Sequence, residues 1–350
     1  MHTKPNNQAP SRDPGLDILR GIGLFCIMLA HVGPPSALFQ LRNFDVPLMV
    51  LVSGSAFCLS SGRHVGYFKY LLDRFIRLVI PTWIFLLIFF STSFIGFSLS
   101  AAKYPFSLQE TLLSFALIFD YVWIIRIFFL VAIMAPFIMK IKLAIRNQLM
   151  WYALVAVVYL AYETFYFVCT QYNYQTNFIL DYFILSAIPY GVIFALGIMV
   201  HDMNRKQCLL ASGLFLTIFI ALEAWHYHSV GNIVYTQAYK YPARSYYLFY
   251  AMGVSFLLYA LMMIDIIKSN LIGNVLAYLG RRTMWIYFWH IYVLYVFKWF
   301  EFDAHFSVKL VILLFASISL AYIQEFSVAL LANRISTPNS KKTLQKLLTG

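Results

Sequence analysis

Long apolar runs separated by short polar segments extend from residue 16 to residue 332. Runs of about 20 apolar residues are long enough to cross a ~30 Å hydrocarbon layer as α-helices. The pattern predicts ten spans, at 16–33, 44–62, 78–98, 123–140, 149–170, 178–200, 207–225, 245–267, 283–299 and 307–332. Segment 107–122 is amphipathic but too short to span, which predicts an interfacial or re-entrant piece.

The composition supports an all-α, polytopic membrane bundle. Of the 350 residues, 61% are hydrophobic and only 11% are charged, whereas soluble domains carry about 25% charged residues. The net charge of +12 also needs an explanation. Nucleic-acid-binding proteins cluster Lys and Arg on a water-exposed surface, but here these residues lie between apolar runs. We therefore expect the lipid bilayer, and no nucleic acid, as a partner.

The distribution of basic residues predicts the topology. Most of the 26 Lys and Arg residues fall on the side of the N-terminus, so the positive-inside rule places both termini in the cytoplasm. This divides the chain into a tail (1–15), a membrane domain (16–332) and a basic cytoplasmic tail (333–350). The first apolar run contains Asp17 and Arg20 and has no small-residue cleavage site after it. We therefore expect it to remain as the first helix and not to be removed as a signal peptide.

The four cysteines do not predict a metal site or a disulfide framework. They lie in or beside apolar runs without CxxC spacing, at positions 26, 58, 169 and 208. Such residues usually act as small buried hydrophobic side chains. We therefore expect no bound metal.

The first span carries two polar residues on one helix face. Arg20 and His31 are eleven positions apart, which is ~16 Å and nearly three whole turns along a helix. Ionisable groups inside a membrane usually face the bundle interior. The alternative is that Arg20 reaches lipid phosphate and His31 only marks a helix end. Asp17, three residues before Arg20, predicts a local ion pair.

Several motifs occur in an order that resembles acyltransferase family 3, a family of membrane proteins. They are Arg20 and His31 with ten residues between them, the opening LDILRG (16–21), VPLMVLVSG (46–54), the Arg-x-x-Arg of Arg74 and Arg77, WIIRIFFLVAIMAP (123–136) and LGRRTMWIYFWH (279–290). Single motifs of this kind are weak, but this many in family order are specific.

The resemblance implies a bundle of about ten helices that moves an acyl group, commonly acetyl from acetyl-CoA, to a sugar hydroxyl. Acceptors in this family are usually cell-surface polysaccharides or lipid-linked glycans, which implies a bacterial cytoplasmic membrane. Acetyl-CoA is a substrate there, and no tightly bound cofactor is expected. Some members append an SGNH esterase-like domain. We expect none here, so transfer to the acceptor would take place in the bundle.

Under this hypothesis the catalytic residues are His31, Arg20 and Asp45. His31 would act either as a general base toward the sugar hydroxyl or as a covalent acyl carrier, with the acyl-CoA arm threading along the face that carries Arg20. Asp45 would orient His31 as the carboxylate does in a catalytic triad, although a helix N-cap is an alternative role. For His290, within an aromatic stretch, we expect a structural role over a catalytic one.

The donor-binding residues predicted on the same basis are Arg74, Arg77 and Arg126. Arg74 and Arg77 lie three residues apart at the inner mouth of the third span, where guanidinium groups suit phosphate. Ordinary positive-inside flanking is the alternative. Arg126 would bind pantetheine or pyrophosphate oxygens or stabilise an oxyanion. A structural pair with Asp120 or Asp181 is its alternative role.

The competing functional class is a multi-span transporter or flippase for a glycolipid or small solute. Ten spans with intramembrane charge are compatible with one. Transporters of this kind are often built from inverted repeats, with broken helices in corresponding positions of two halves. The sequence shows no such repeat, so the acyltransferase interpretation is preferred.

Overall fold

The structure is a computed structural model that describes residues 13–60, 66–118, 120–172 and 178–349, and all regular secondary structure within these ranges is helical. The helices are α1 (Pro14–Ala30), α2 (Ser36–Leu41), α3 (Asp45–Leu59), α4 (Tyr67–Leu99), α5 (Leu108–Phe115), α6 (Trp123–Ala144), α7 (Gln148–Gln171), α8 (Leu185–Val200), α9 (Arg205–Val230), α10 (Ser245–Leu261), α11 (Asp265–Ser269), α12 (Leu271–Arg281), α13 (Thr283–Trp299), α14 (Phe306–Asn333) and α15 (Pro338–Leu348). Single 3₁₀ turns cover Asp120–Val122 and Thr236–Tyr239, and a π-turn at Leu180–Ile184 leads into α8.

Within the described ranges, six helices are long and apolar enough to cross a membrane: α4, α6, α7, α8 with its preceding turn, α9 and α14. The other four predicted spans coincide with α1, α3, α10 and α13, which have only 15 to 17 residues. A helix of 17 residues is about 25 Å long, less than a ~30 Å hydrocarbon layer. The count of ten spans and the cytoplasmic location of both termini therefore stay predictions.

The short helices form the interior of the bundle. Both α1 and α3 bury side chains around most of their circumference, which is typical of a helix surrounded by other helices. By contrast, α7, α9 and α14 bury few residues and expose large apolar side chains such as Leu214 and Val311. The polar groups at the ends of the short helices are therefore enclosed by longer, lipid-compatible ones.

Glycines allow two close helix contacts that fix the position of α1 and α3. A Cβ atom on Gly280 of α12 would lie 1.7 Å from the carbonyl oxygen of Asp17 in α1. A Cβ atom on Gly197 of α8 would lie 2.1 Å from the carbonyl oxygen of Leu51 in α3. Small residues at such contacts let helix backbones approach each other.

The amphipathic segment 107–122 folds as α5 and the turn that leads into α6. Helix α5 has eight residues, and Ser107 and Glu110 form a capping box at its start. After it, Leu117 adopts a left-handed conformation (φ 61°) that redirects the chain. The segment is too short to span, and its interfacial location stays a prediction. Its end carries Tyr121 into the bundle interior.

The predicted basic tail contains a helix that packs back onto the bundle. In α15, Lys346 forms an ion pair with Asp73 of α4. The carbonyl of Leu348 accepts a hydrogen bond of 2.6 Å from the side-chain amide of Gln324 in α14. Positive charge from α15 is therefore placed at the end of the bundle where α4 carries Arg74 and Arg77.

Candidate active site

His31 lies at the tip of α1, where the local sequence ends the helix. Its backbone N–H donates to the carbonyl of Met28 at 3.2 Å, closing the last turn. Gly33 then adopts φ +69°, a left-handed conformation that glycine accepts readily. Pro34 and Pro35 cannot continue the helix because they lack a backbone N–H. The imidazole is thus held at the end of a central, short helix.

A second histidine, His290 of α13, contacts His31. Nε2 of His290 lies 3.3 Å from Nδ1 of His31, and the two rings stack with their centroids 5.3 Å apart. His290 is fully buried, at 0% exposure. Its Nδ1 contacts the carbonyl oxygen of Tyr287, one turn earlier in α13.

These contacts define which ring nitrogen of His31 carries a proton. A carbonyl oxygen only accepts, so His290 donates from Nδ1, and in the neutral imidazole its Nε2 is an acceptor. Nδ1 of His31 must then donate to that acceptor, which leaves a lone pair on Nε2 of His31. A neutral imidazole in this tautomer is suited to take a proton from a substrate. His290 therefore has the geometry of an orienting residue, where the sequence favoured a structural role.

Tyr121 completes the surroundings of His31. Its ring meets His31 edge-on, with centroids 4.7 Å apart. The hydroxyl of Tyr287 donates to the backbone carbonyl of Tyr121, which joins α13 to the turn before α6. Nothing in the sequence marked Tyr121, because it lies in a segment read only as amphipathic.

The structure gives the carboxylate of Asp45 hydrogen-bond partners other than His31, the partner that the sequence suggested. Its carboxylate accepts hydrogen bonds from Arg42 Nη1 at 2.7 Å, from Lys240 Nζ at 3.3 Å and from the Val46 backbone N–H at 2.8 Å. Within the described residues, none of its hydrogen bonds reaches His31. Asp45 is also the first residue of α3 and not its N-cap, which is Phe44. Two buried cations take up its oxygens.

Arg42, Asp45 and Lys240 form a buried ionic cluster, with exposed fractions of 5%, 1% and 4%. Lys240 Nζ also donates to the side-chain oxygen of Asn43 at 3.0 Å. Burial lowers the pKa of Lys240, and the carboxylate of Asp45 opposes that shift. Two cations share one carboxylate, so the cluster carries excess positive charge. Nothing in the apolar pattern marks Lys240, because it lies in the polar segment between two predicted spans.

The loop before α10 carries Lys240 into the bundle because it is anchored on two sides. Arg244 forms an ion pair of 2.9 Å with Glu163 of α7, and the hydroxyl of Tyr162 donates to the Ala243 carbonyl at 3.1 Å. On the other side, Thr236 accepts a 3.0 Å hydrogen bond from Asn43. The position of Lys240 therefore depends on contacts with α7 and with the α2–α3 connection.

His31 lines two cavities. The first, here called the Lys240 cavity, has a volume of about 210 Å³ and is also lined by Arg42, Lys240 and Tyr287. The second lies on the side of Tyr121 and has a volume of about 530 Å³, with Tyr295 in its lining. Substrates therefore have space on two sides of the histidine.

Arg20 and Arg74 line a third cavity, here called the Arg74 cavity, with a volume of about 280 Å³. Arg20 forms the predicted ion pair with Asp17, at 2.9 Å. Arg74 lies over the ring of Tyr70, with Cζ 5.1 Å from the centroid. Since Arg20 is ~16 Å from His31 along α1, the structure groups Arg20 with Arg74 and not with the histidine pair.

Arg77 is oriented differently from Arg74. Its Nε forms an ion pair of 3.0 Å with Asp73, and its side chain is half-exposed. It is not among the residues that line the Arg74 cavity. The two arginines of the Arg-x-x-Arg motif thus do not face one site together.

Arg126 lines a fourth cavity, here called the Arg126 cavity, of about 390 Å³. Its Nη1 donates to the Leu117 carbonyl at 3.0 Å, and its Cζ lies 5.0 Å from the centroid of the Tyr182 ring. Asp181 lines the same cavity, but within the described part of the chain Arg126 has no ion pair. The side chain of Asp120 is outside the described residues.

Apolar helices enclosing a histidine pair and separate cation-lined cavities define an integral membrane protein with a polar site inside its bundle. The sequence profile of acyltransferase family 3, described as an acyltransferase domain, matches residues 13–324. The chain therefore belongs to acyltransferase family 3, which confirms the resemblance of its motifs. No match was found among curated proteins or solved structures.

Proposed function

We propose that this protein is an O-acetyltransferase of the bacterial cytoplasmic membrane. It would transfer acetyl from acetyl-CoA to a sugar hydroxyl of a cell-surface polysaccharide or lipid-linked glycan. The observation that carries the proposal is the contact between His31 and His290, which leaves a lone pair on Nε2 of His31, a residue that lines two cavities. Membership of an acyltransferase family supports the reaction class.

The donor phosphates are assigned to the Arg74 cavity. Arg20 and Arg74 both line it, and Nε of Arg74 is buried without a hydrogen-bond partner among the described residues. An arginine with unused donors suits phosphate oxygens. Arg77 already pairs with Asp73, so we assign it a smaller contribution to donor binding, through long-range attraction of the phosphates. The flexible arm of acetyl-CoA then runs toward His31, a distance of ~16 Å along α1.

The chemical step places the sugar hydroxyl against Nε2 of His31. His31 removes the hydroxyl proton while the oxygen attacks the thioester carbonyl carbon. The tetrahedral intermediate collapses, the carbon–sulfur bond breaks, and the imidazolium returns the proton to the leaving thiolate. The products are the acetyl ester and CoA thiol. In the alternative covalent route, His31 itself accepts the acetyl group before the sugar does.

The buried cluster of Arg42 and Lys240 supplies positive charge beside this reaction. Both residues line the Lys240 cavity together with His31. Nε of Arg42 is buried without a hydrogen-bond partner within the described residues. Positive charge held in place near a developing oxyanion lowers the energy of the transition state. We therefore assign oxyanion stabilisation to this cluster.

The proposal is tested with purified protein in nanodiscs, radiolabelled acetyl-CoA and a crude surface-glycan extract. We expect His31→Ala to abolish label transfer while acetyl-CoA binding is retained. Arg74→Ala should weaken acetyl-CoA binding, and the covalent route predicts label on the protein, removable by neutral hydroxylamine, when glycan is omitted. If neither acetyl-CoA nor any other acyl-CoA in a panel binds or is consumed, the proposal is wrong.

A further inference from the structure

Among the side chains that the structure describes, Arg126 is a buried cation without a carboxylate partner. Only 7% of the residue is exposed, and its polar contacts within the described residues are the Leu117 carbonyl and the face of the Tyr182 ring. Its Nε has no hydrogen-bond partner there. An uncompensated charge is costly inside a membrane bundle and usually marks a ligand or ion site.

The Arg126 cavity can hold such a ligand. It has a volume of about 390 Å³ and is also lined by Lys240, Trp123 and Tyr241. Asp181 lines it as well, and Asp45 binds Lys240 from outside the lining. Arg126 is thus the lining cation that no ion pair joins to a carboxylate within the described residues. Trp123 and Tyr241 offer aromatic faces next to polar groups, a combination that suits a sugar ring.

The position of this cavity favours the acceptor over the donor. Trp123, Lys240 and Tyr241 also line the Lys240 cavity, which His31 shares. The Arg74 cavity, assigned to the donor phosphates, lies further along the same helices, where Phe128 of α6 lines it. Arg74 and Arg126 therefore line separate cavities, and the Arg126 cavity is the one that shares lining residues with the Lys240 cavity, which His31 lines.

We propose that the acceptor carries an anionic group, a carboxylate or a phosphate, that binds Arg126 while a sugar hydroxyl reaches His31. This inference rests on the proposed function and narrows its acceptor to acidic or phosphorylated sugars. Arginine binds both groups through charge-assisted hydrogen bonds. Lys240, which lines both cavities, adds positive charge between the anion and the reacting hydroxyl.

The test measures binding to full-length protein in nanodiscs for wild type, Arg126→Gln and Arg126→Lys. The probes are glucuronate, glucose 1-phosphate, neutral glucose and acetyl-CoA, each titrated separately by calorimetry. We expect wild type to bind at least one anionic sugar about tenfold more tightly than glucose, as a charge-assisted hydrogen bond allows. Arg126→Gln should remove that preference and leave acetyl-CoA affinity unchanged. Arg126→Lys should keep part of it.

The outcomes separate this inference from the proposed function. Equal binding of glucose and both anionic sugars to wild type overturns the inference, as does a loss of acetyl-CoA affinity in Arg126→Gln with the sugar preference intact. Retained acetyl-CoA affinity shows that Arg126→Gln is folded. If acetyl-CoA never binds but the anion preference depends on Arg126, the anion site stands and the transferase assignment fails.

Discussion

Replacing His290 with phenylalanine tests whether this residue orients the catalytic base. Phenylalanine fills a similar volume but offers no acceptor to Nδ1 of His31. The contact is fully buried and 3.3 Å long, so we assign it the net value of an ordinary hydrogen bond, about 0.5–1.5 kcal/mol. That alone slows the reaction about 2- to 13-fold. His31 also becomes free to adopt the other tautomer, and we therefore expect kcat to fall by about tenfold or more.

The assay compares kcat and KM for label transfer from acetyl-CoA in wild type, His290→Phe and His290→Gln. The side-chain oxygen of glutamine can occupy the position of Nε2 and accept from His31, so His290→Gln should recover most of kcat. KM for acetyl-CoA should stay unchanged in both variants, because the Arg74 cavity lies at the other end of α1. Full kcat in His290→Phe, or a glutamine variant no better than phenylalanine, would refute the orienting role.

Three further predictions follow from the contacts around the site. Arg74→Ala should raise KM for acetyl-CoA about tenfold, whereas Arg77→Ala should change it less than about twofold because an exposed, paired arginine contributes little. Gly280→Ala should destabilise the protein by about 1–3 kcal/mol in thermal unfolding in nanodiscs, because the added Cβ meets the α1 backbone. Gly213→Ala is the control, and it should not destabilise the protein because there is open space around the added Cβ. Asp45→Asn leaves two buried cations without their carboxylate and should cost about 3–5 kcal/mol in the same assay; unchanged stability would contradict the cluster.

Much of the architecture is predictable from the apolar pattern. The ten apolar runs correspond to helices, because a 3.6-residue repeat and lipid-compatible side chains are properties of the local sequence. The Asp17–Arg20 ion pair is likewise local, since residues three apart meet on any helix. The pattern does not reveal that α1, α3, α10 and α13 are too short to match the outer helices. Helix ends depend on caps and on packing, which apolar runs do not encode.

The sequence by itself determined the family, the membrane-spanning character and His31 as the leading candidate for catalysis. Only the tertiary structure decided which groups meet His31. His290 lies 259 residues away along the chain, and Lys240 enters from a loop that looks solvated when read alone. Asp45 was close in sequence to His31, yet two buried cations bind its oxygens more favourably than a neutral imidazole would. Burial strengthens interactions between charges, and burial is a property of the assembled bundle.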